Sequence, residues 1–282
     1  MKIRIVSDST CDLPEKLVTQ YRISIVPCYI NFGSESLLDN VEISRADFYR
    51  RISSKTEFPK TSAPSIGLFT KVYNRLADEG AKEIISIHVR PGLSSMANVA
   101  RLAAQSLDCV RIHVIEVGQL AITLGYLVMQ AAKAAAEGKS SREIIEMVKE
   151  KDQRAYLFAA LNTLEYLKRG GRVPALIASL ADFLNIKPVV LLRLGNVSLA
   201  DRVRTTSKQV EYLLKLARRQ GPLEWIGVAH TNAADRAVQL ADAIKSIFHY
   251  TKEIWIEEVT PVLGVHVGPG ALGVACIKSV TE

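Results

Sequence analysis

Apolar residues in the first half of the chain occur in two alternating patterns. Short apolar runs are typical of strands, whereas longer stretches with apolar residues every three or four positions predict helices. Strands are predicted at Lys2–Val6, Ile23–Ile30 with an interruption at Pro27, Glu83–Val89 and Val110–Ile115. Helices are predicted at Glu15–Tyr21, Ser44–Ser53, Ile66–Glu79, Met96–Ser106, Gly118–Glu137 and Ser140–Lys149. This alternation favours a three-layer α/β/α domain with a mostly parallel sheet.

The pattern changes near residue 155. A hairpin is predicted from Pro188–Arg193 and Val197–Val203, joined by a turn at Gly195-Asn196. The other predicted elements are strands at Tyr156–Leu161, Trp225–His230, Glu253–Glu258 and Val274–Ile277, and helices at Ser207–Arg219 and Ala233–Phe248. We therefore predict two domains, an α/β domain over residues 1–155 and an α+β domain over residues 156–282, between which segments can be exchanged.

Composition and charge narrow the class of protein. The chain has 282 residues, 48% hydrophobic and 23% charged, which is an ordinary globular composition. It begins directly with a strand, without a signal peptide pattern, and no apolar run reaches the ~18 residues of a membrane span, so we expect a cytoplasmic protein without a transmembrane segment. The net charge of +7 comes from dispersed basic residues, and aromatic residues make up only 6%. A nucleic-acid partner is therefore the least favoured interpretation.

Cysteines and motifs give little sign of catalysis. The four cysteines are Cys11, Cys28, Cys109 and Cys276. They lie far apart in no metal-binding spacing and are expected to be free, mostly buried thiols. The chain lacks a phosphate-binding P-loop, a nucleophile elbow and a His-Glu-x-x-His motif, so we expect no metal, no cofactor and no enzymatic activity. The alternative is a stand-alone phosphotransferase or hydrolase that uses Asp8 and Asp12, with a glycine-rich loop as phosphate cradle.

That glycine-rich stretch lies near the C-terminus and contains one histidine. Its sequence is Gly264-Val-His266-Val-Gly268-Pro269-Gly270-Ala-Leu-Gly273. Glycines let a backbone approach another group closely, and we predict that His266 lies in a loop that enters a core strand. Two interpretations stay open at this point: a turn with a hydrogen-bonded core histidine, or a ligand site.

Three other polar segments lie at strand ends or helix starts. Ser7-Asp8-Ser9-Thr10-Cys11-Asp12 follows the first strand, where α/β proteins place ligands, although turn chemistry with Asp12 as a helix cap is favoured. In Lys60-Thr61-Ser62-Ala63-Pro64-Ser65, Ser65 is predicted to cap a helix, which leaves Thr61 and Ser62 as free donors. Ser94 and Ser95 stand at another helix N-terminus, a place that suits an anion, with plain capping as the alternative.

Taken together and in chain order, these segments resemble those of the DegV family along essentially the whole chain. The other matching segments are Leu164–Arg172 with its Gly170-Gly171 pair, Asn185-Ile186-Lys187-Pro188 and Val203-Arg204-Thr205. The resemblance implies a protein that binds one long-chain fatty acid between two domains and presents its carboxylate to a separate fatty acid kinase, which makes acyl phosphate. It implies carboxylate contacts from Thr61, Ser94 and His266. We expect support for this site from Ser62, Ser95, Gly268, Gly270 and Arg172.

Two departures from the family pattern concern ligand identity. The family usually has Ser-Gly-Thr where this chain has Ser94-Ser95-Met96, and Ile-Asp-Ser where it has Ile115-Glu116-Val117. Ser95 narrows the space beside the headgroup, and Met96 replaces a hydroxyl by an apolar side chain. Burial of a sixteen-carbon tail still offers on the order of 10 kcal/mol before the costs of ordering and association.

Overall fold

The computed structural model describes residues 2–54, 58–178 and 186–280. Asn185, which belongs to one of the matching segments, lies outside the described residues. The strands of the first half are β1 Ile3–Asp8, β2 Ser24–Val26, β3 Tyr29–Phe32, β4 Glu35–Leu38, β5 Lys60–Ser62, β6 Glu83–Val89 and β7 Arg111–Val117. The helices are α1 Glu15–Gln20, α2 Arg45–Ser53, α3 Ile66–Asp78, α4 Met96–Gln105, α5 Ala121–Ala136 and α6 Ser141–Gln153.

A parallel sheet forms the centre of this half. Its strand order is β2-β1-β6-β7, and helices α3, α4, α5 and α6 pack against it, as the alternating pattern predicts. The strand predicted at Ile23–Ile30 is interrupted at Pro27, as expected, and the two parts, β2 and β3, belong to different sheets. β3 instead joins β4 and β5 in a small antiparallel sheet.

The second half contains the strands β8 Ala155–Ala160, β9 Lys187–Arg193, β10 Asn196–Val203, β11 Leu223–His230, β12 Trp255–Glu258 and β13 Leu272–Lys278. Its helices are α7 Glu165–Gly170, α8 Pro174–Ala178, α9 Thr206–Arg218, α10 Ala234–Phe248 and α11 Pro261–Val267. The six strands form one mixed sheet, in the order β10-β9-β8-β13-β11-β12, in which only β11 and β12 pair in parallel. The α/β class with a second, mixed sheet is thus confirmed.

Helix α5 connects the two large sheets. It packs against β1 and β6 of the parallel sheet and against β8, β11 and β13 of the mixed sheet. One hydrophobic cluster accordingly contains residues of both halves, including Leu127, Trp225 and Ile277. The division into two domains at residue 155 remains a prediction.

The tip of the β9–β10 hairpin also contacts the first half. Arg193 pairs with Asn196, so Leu194 and Gly195 form the turn, both with positive φ (50° and 79°), and the predicted Gly195-Asn196 turn is off by one residue. Gly195 N donates a hydrogen bond to Gly118 O at 2.9 Å. A Cβ on Gly118 would lie 2.3 Å from Leu194 Cα, so only glycine allows this approach.

All four cysteines are free, and all except Cys109 are buried. Within residues 2–54, 58–178 and 186–280, no helix combines the length and the apolar character that crossing a membrane requires.

Candidate ligand-binding site

His266 lies in helix α11, not in a loop as the glycine-rich sequence predicts. The N-terminal end of α11 is held by the segment after β1: Asp12 Oδ1 accepts from Thr260 N at 2.8 Å, and Thr260 Oγ1 donates to Ser9 O at 2.8 Å. Asp12 therefore binds α11 and does not cap α1, whose N-cap residue is Pro14. The result is a short helix that carries His266 in its last turn.

The His266 imidazole is held between Thr61 and Gly170. Nε2 lies 3.0 Å from Thr61 Oγ1, whereas the buried Nδ1 has no hydrogen-bond partner. A Cβ on Gly170 would lie 2.3 Å from Nδ1, so glycine is needed there. Burial, assisted by Arg172, lowers the pKa of His266 to about 4, and the ring is neutral at pH 7. A buried Nδ1 without an acceptor favours the tautomer whose proton is on Nε2, which then donates to Thr61.

Thr61 accepts from two donors. Besides His266 Nε2, Arg172 Nη2 donates to Thr61 Oγ1 at 3.4 Å, and Arg172 Nη1 donates to Gly170 O at 2.7 Å. Because both contacts supply a hydrogen, the hydroxyl proton of Thr61 is left to donate to a further group. Ser62 Oγ accepts from Asn31 Nδ2 at 3.1 Å, which likewise leaves its hydroxyl proton to donate.

Ser94 and Ser95 lie at the N-terminus of α4. Ser94 Oγ accepts from Met96 N at 3.3 Å, and Ser95 is the N-cap residue but makes no side-chain cap bond. Ser65 likewise precedes α3 without a side-chain cap bond. Helix capping therefore explains the position of Ser94 but not that of Ser95. Both serines stand at the positive end of a ten-residue helix.

These side chains surround a small polar pocket of about 70 Å³. Its polar lining residues are Thr10, Thr61, Ser62, Ser94, Ser95, Arg172 and His266. Six of the seven are candidates from the sequence, contributed by β5, the start of α4, the turn after α7 and α11. Arg172 is the only Lys or Arg lining the pocket among the described residues.

A second, apolar cavity of about 150 Å³ lies beside the polar pocket. Leu157, Leu192, Ala229 and Leu272 of the mixed sheet contribute to its wall, which consists almost entirely of apolar atoms. The two spaces share five lining residues: Leu93, Leu120, Arg172, Leu263 and His266. The arrangement suits an elongated ligand with an apolar body and one polar end.

Gly268 and Gly270 line neither space. Both have positive φ, and a Cβ on Gly268 would lie 2.2 Å from Tyr166 Cδ2, while one on Gly270 would lie 2.5 Å from Asn162 Nδ2. Their role is close packing of the loop after α11 against neighbouring side chains. This geometry disfavours the alternative of a glycine loop that cradles phosphate.

Sequence reasoning missed Thr10 and the apolar wall. Thr10 stands in a polar segment that the sequence places at the end of β1, but the residues of that segment favour turn chemistry. The apolar lining side chains alternate along strands of the mixed sheet, and the same alternation is typical of any strand with a buried face. No sequence pattern separates a wall that faces a cavity from one that faces a filled core.

The fold and site define an α/β protein with an internal cavity that is apolar except at one polar end. The chain belongs to the DegV family: the family model described as "Uncharacterised protein, DegV family" matches residues 2–279. A DegV domain-containing protein of Streptomyces coelicolor is 32% identical over 274 residues, which cover 96% of this chain and 97% of that protein.

Two solved structures share this fold over nearly the whole chain. One is described as showing fatty acid binding of a DegV family protein from Thermus thermophilus; it is 30% identical, has a TM-score of 0.91 and covers 99% of this chain and 100% of that chain. The other is described as DegV, a fatty acid binding protein from Bacillus subtilis, with 25% identity, a TM-score of 0.89 and the same coverage of both chains.

Proposed function

We propose that this protein binds one long-chain fatty acid, with the acyl chain in the apolar cavity and the carboxylate in the polar pocket. The observation that carries the proposal is the wall that the two spaces share, which includes His266 and Arg172, so that the apolar cavity adjoins a pocket lined by Thr61 and other polar side chains. Burial of each methylene contributes about 0.8 kcal/mol, so the cavity can supply most of the affinity. The two fatty acid binding relatives support the same ligand class.

Of the three residues that the family resemblance implies, Thr61 and Ser94 are assigned to the carboxylate directly, and His266 is assigned to it through Thr61. Thr61 has a hydroxyl proton to donate, and Ser94 lies beside the N-terminus of α4. His266 orients the Thr61 hydroxyl through its Nε2 hydrogen bond. Arg172 supplies a positive charge at the same end of the cavity. Together these groups offset the cost of removing a carboxylate from water.

We further propose that the protein is a carrier, which presents the carboxylate to a separate fatty acid kinase for acyl phosphate formation. The support is the family resemblance and the absence of a P-loop in the sequence. Asp8 and Asp12, the candidates for phosphotransfer in the alternative, are buried and engaged with His88 and Thr260.

Native mass spectrometry of the purified protein tests ligand binding. We expect a species heavier than the chain by the mass of one fatty acid, and a delipidated sample that recovers this species when palmitate is added. A protein that carries no acyl ligand and binds no added palmitate would contradict the proposal.

A further inference from the structure

A chain of buried hydrogen bonds leads from the parallel sheet to the polar pocket. Tyr73 OH donates to Ser86 Oγ at 2.8 Å, Ser86 Oγ lies 2.7 Å from His88 Nε2, and His88 Nδ1 lies 2.6 Å from Asp8 Oδ2. Asp8 Oδ1 then accepts from Thr10 Oγ1 at 2.5 Å and from Thr10 N at 3.0 Å. Bulk water cannot replace these hydrogen bonds, because four of the residues that form them are 0% exposed: Tyr73, Ser86, His88 and Asp8.

The direction of the last bond in this chain follows from the backbone. A backbone N–H can only donate, so Asp8 Oδ1 must present lone pairs toward Thr10. The Thr10 hydroxyl therefore donates its proton to the same oxygen, and a short bond to a carboxylate oxygen holds it there. What Thr10 can still offer to the polar pocket that it lines is an acceptor lone pair.

The two threonines of the pocket are consequently opposite in character. Thr61 accepts from His266 and Arg172 and has a proton to donate, whereas Thr10 has its proton committed to Asp8. A carboxylate presents only acceptors, so it can bind on the side of Thr61 and Ser94 but gains nothing from Thr10. A headgroup with both a carbonyl and a hydrogen-bond donor can bind on both sides.

We infer that Thr10, positioned by Asp8 and His88, determines which uncharged headgroups bind in the polar pocket, by favouring those that carry a hydrogen-bond donor beside a carbonyl oxygen. Among uncharged acyl ligands of equal chain length, a primary fatty amide is therefore favoured over a methyl ketone, while a fatty acid binds as the carboxylate through Thr61 and Ser94. Phe69, whose ring packs edge-on to His88 with centroids 5.3 Å apart, contributes to fixing the imidazole that holds Asp8. The inference rests on the proposed function, because it concerns the headgroup of the same acyl ligand.

A matched pair of ligands tests the inference. Hexadecanamide and heptadecan-2-one have the same chain and nearly the same headgroup shape, but only the amide carries a donor. The delipidated protein should bind the amide about 5- to 10-fold more tightly than the ketone, the effect of one neutral hydrogen bond. Thr10→Val removes the acceptor at constant shape and should reduce this preference to about 2-fold or less, while Thr10→Ser should retain it.

The ratio of the two affinities is the decisive measurement, because a packing defect would weaken both ligands together. Equal binding of amide and ketone by the wild-type protein would overturn the inference, even if Thr10→Val does not fold. A preference that Thr10→Val leaves unchanged would overturn it as well. If palmitate fails to bind the wild-type protein at all, the proposed function fails and this inference falls with it; palmitate binding with no amide preference defeats the inference alone.

Discussion

At the scale of single residues, Thr61 is where the hydrogen bonds of the polar pocket converge. Replacing both Thr61 and Ser94 by alanine should weaken palmitate binding by about 1 to 3 kcal/mol, because charge-assisted bonds to the carboxylate are lost. Fluorescent fatty acid titration measures the loss. Thr70→Val is a suitable control, since the Thr70 hydroxyl donates to Ile66 O within α3 and Thr70 does not line the polar pocket. A double variant with normal affinity and a lowered melting temperature would show that both residues only stabilise the fold.

His266 acts on the ligand through Thr61. Its neutral imidazole should therefore matter for a charged headgroup more than for an uncharged one, and His266→Ala should weaken palmitate binding more than hexadecanol binding. Parallel titrations with both ligands at pH 7 check this expectation. Equal losses for acid and alcohol would identify His266 as a packing residue.

The family resemblance identifies candidate polar side chains for the site but not their pairing. Thr61, Ser94 and His266 could be assigned to one site only through that resemblance, because hydroxyls at helix starts are common as caps and a histidine among glycines also fits a simple turn. That Nε2 faces Thr61 while Nδ1 faces Gly170 depends on contacts across 205 residues of chain, which no local pattern reveals. The same holds for Asp8, whose partner His88 lies 80 residues away.

At the scale of elements, two buried acids lie beside α11: Asp12, which binds Thr260 at its N-terminal end, and Asp39, whose carboxyl lies near the backbone amide of Val262. Burial raises the pKa of Asp39 to about 7, against the opposing effect of the Ser9 hydroxyl, and raises that of Asp12 to about 7 against the nearby Arg45. Both side chains are 1% exposed. A folded-state pKa above the unfolded value means that the folded protein retains protons that the unfolded chain releases. The free energy of unfolding therefore falls as the pH rises from about 4 to 7.

Asp39→Asn should remove part of this pH dependence. The variant should gain stability relative to wild type by about 1 to 4 kcal/mol between pH 5 and pH 8, because asparagine has no charge to bury. Urea denaturation at the two pH values measures the difference. The exposed Asp78→Asn serves as control and should show no such change. A wild-type-minus-variant difference that is the same at both pH values would contradict the prediction.

Most elements could be predicted from periodicity and capping, because their signals are local. The Ser140–Glu143 capping box before α6 and the Ser44 cap of α2 are examples in which side chain and backbone agree with the sequence pattern. Helix α11 could not be predicted, since Gly264 lowers its helix propensity. Its environment selects that glycine: a Cβ there would lie 2.6 Å from Phe48 Cε1.

At the scale of the whole molecule, the cavity depends on how the sheets are joined. Helix α5 packs against both sheets, and its first residue Ala121, together with Leu120, lines the apolar cavity. The alternation of strands and helices predicts each sheet, but not that one helix lies between them or that space remains beside it. We propose that the two sheets belong to the domains expected on either side of residue 155.

The carrier function makes a prediction about the complete reaction. Acyl phosphate should form when palmitate, ATP and a fatty acid kinase are present, and not with this chain and ATP alone.

The end of the β9–β10 hairpin is a candidate for the surface that binds the kinase, because the exposed Arg202 and Arg204 lie at the end of β10. Charge reversal at both should spare palmitate affinity and lower the kinase-dependent rate, with a loss that shrinks as ionic strength rises.

The matched control for that surface is charge reversal at Arg218 and Arg219, which are also exposed but lie at the opposite end of α9, about 20 Å along the helix. The control changes the net charge by the same amount, so it separates a local contact from long-range steering. If both pairs slow the kinase equally, net charge and not a docking site is responsible. If neither does, the hairpin surface is not part of the complex, and turnover of ATP and palmitate without any kinase would contradict the carrier function itself.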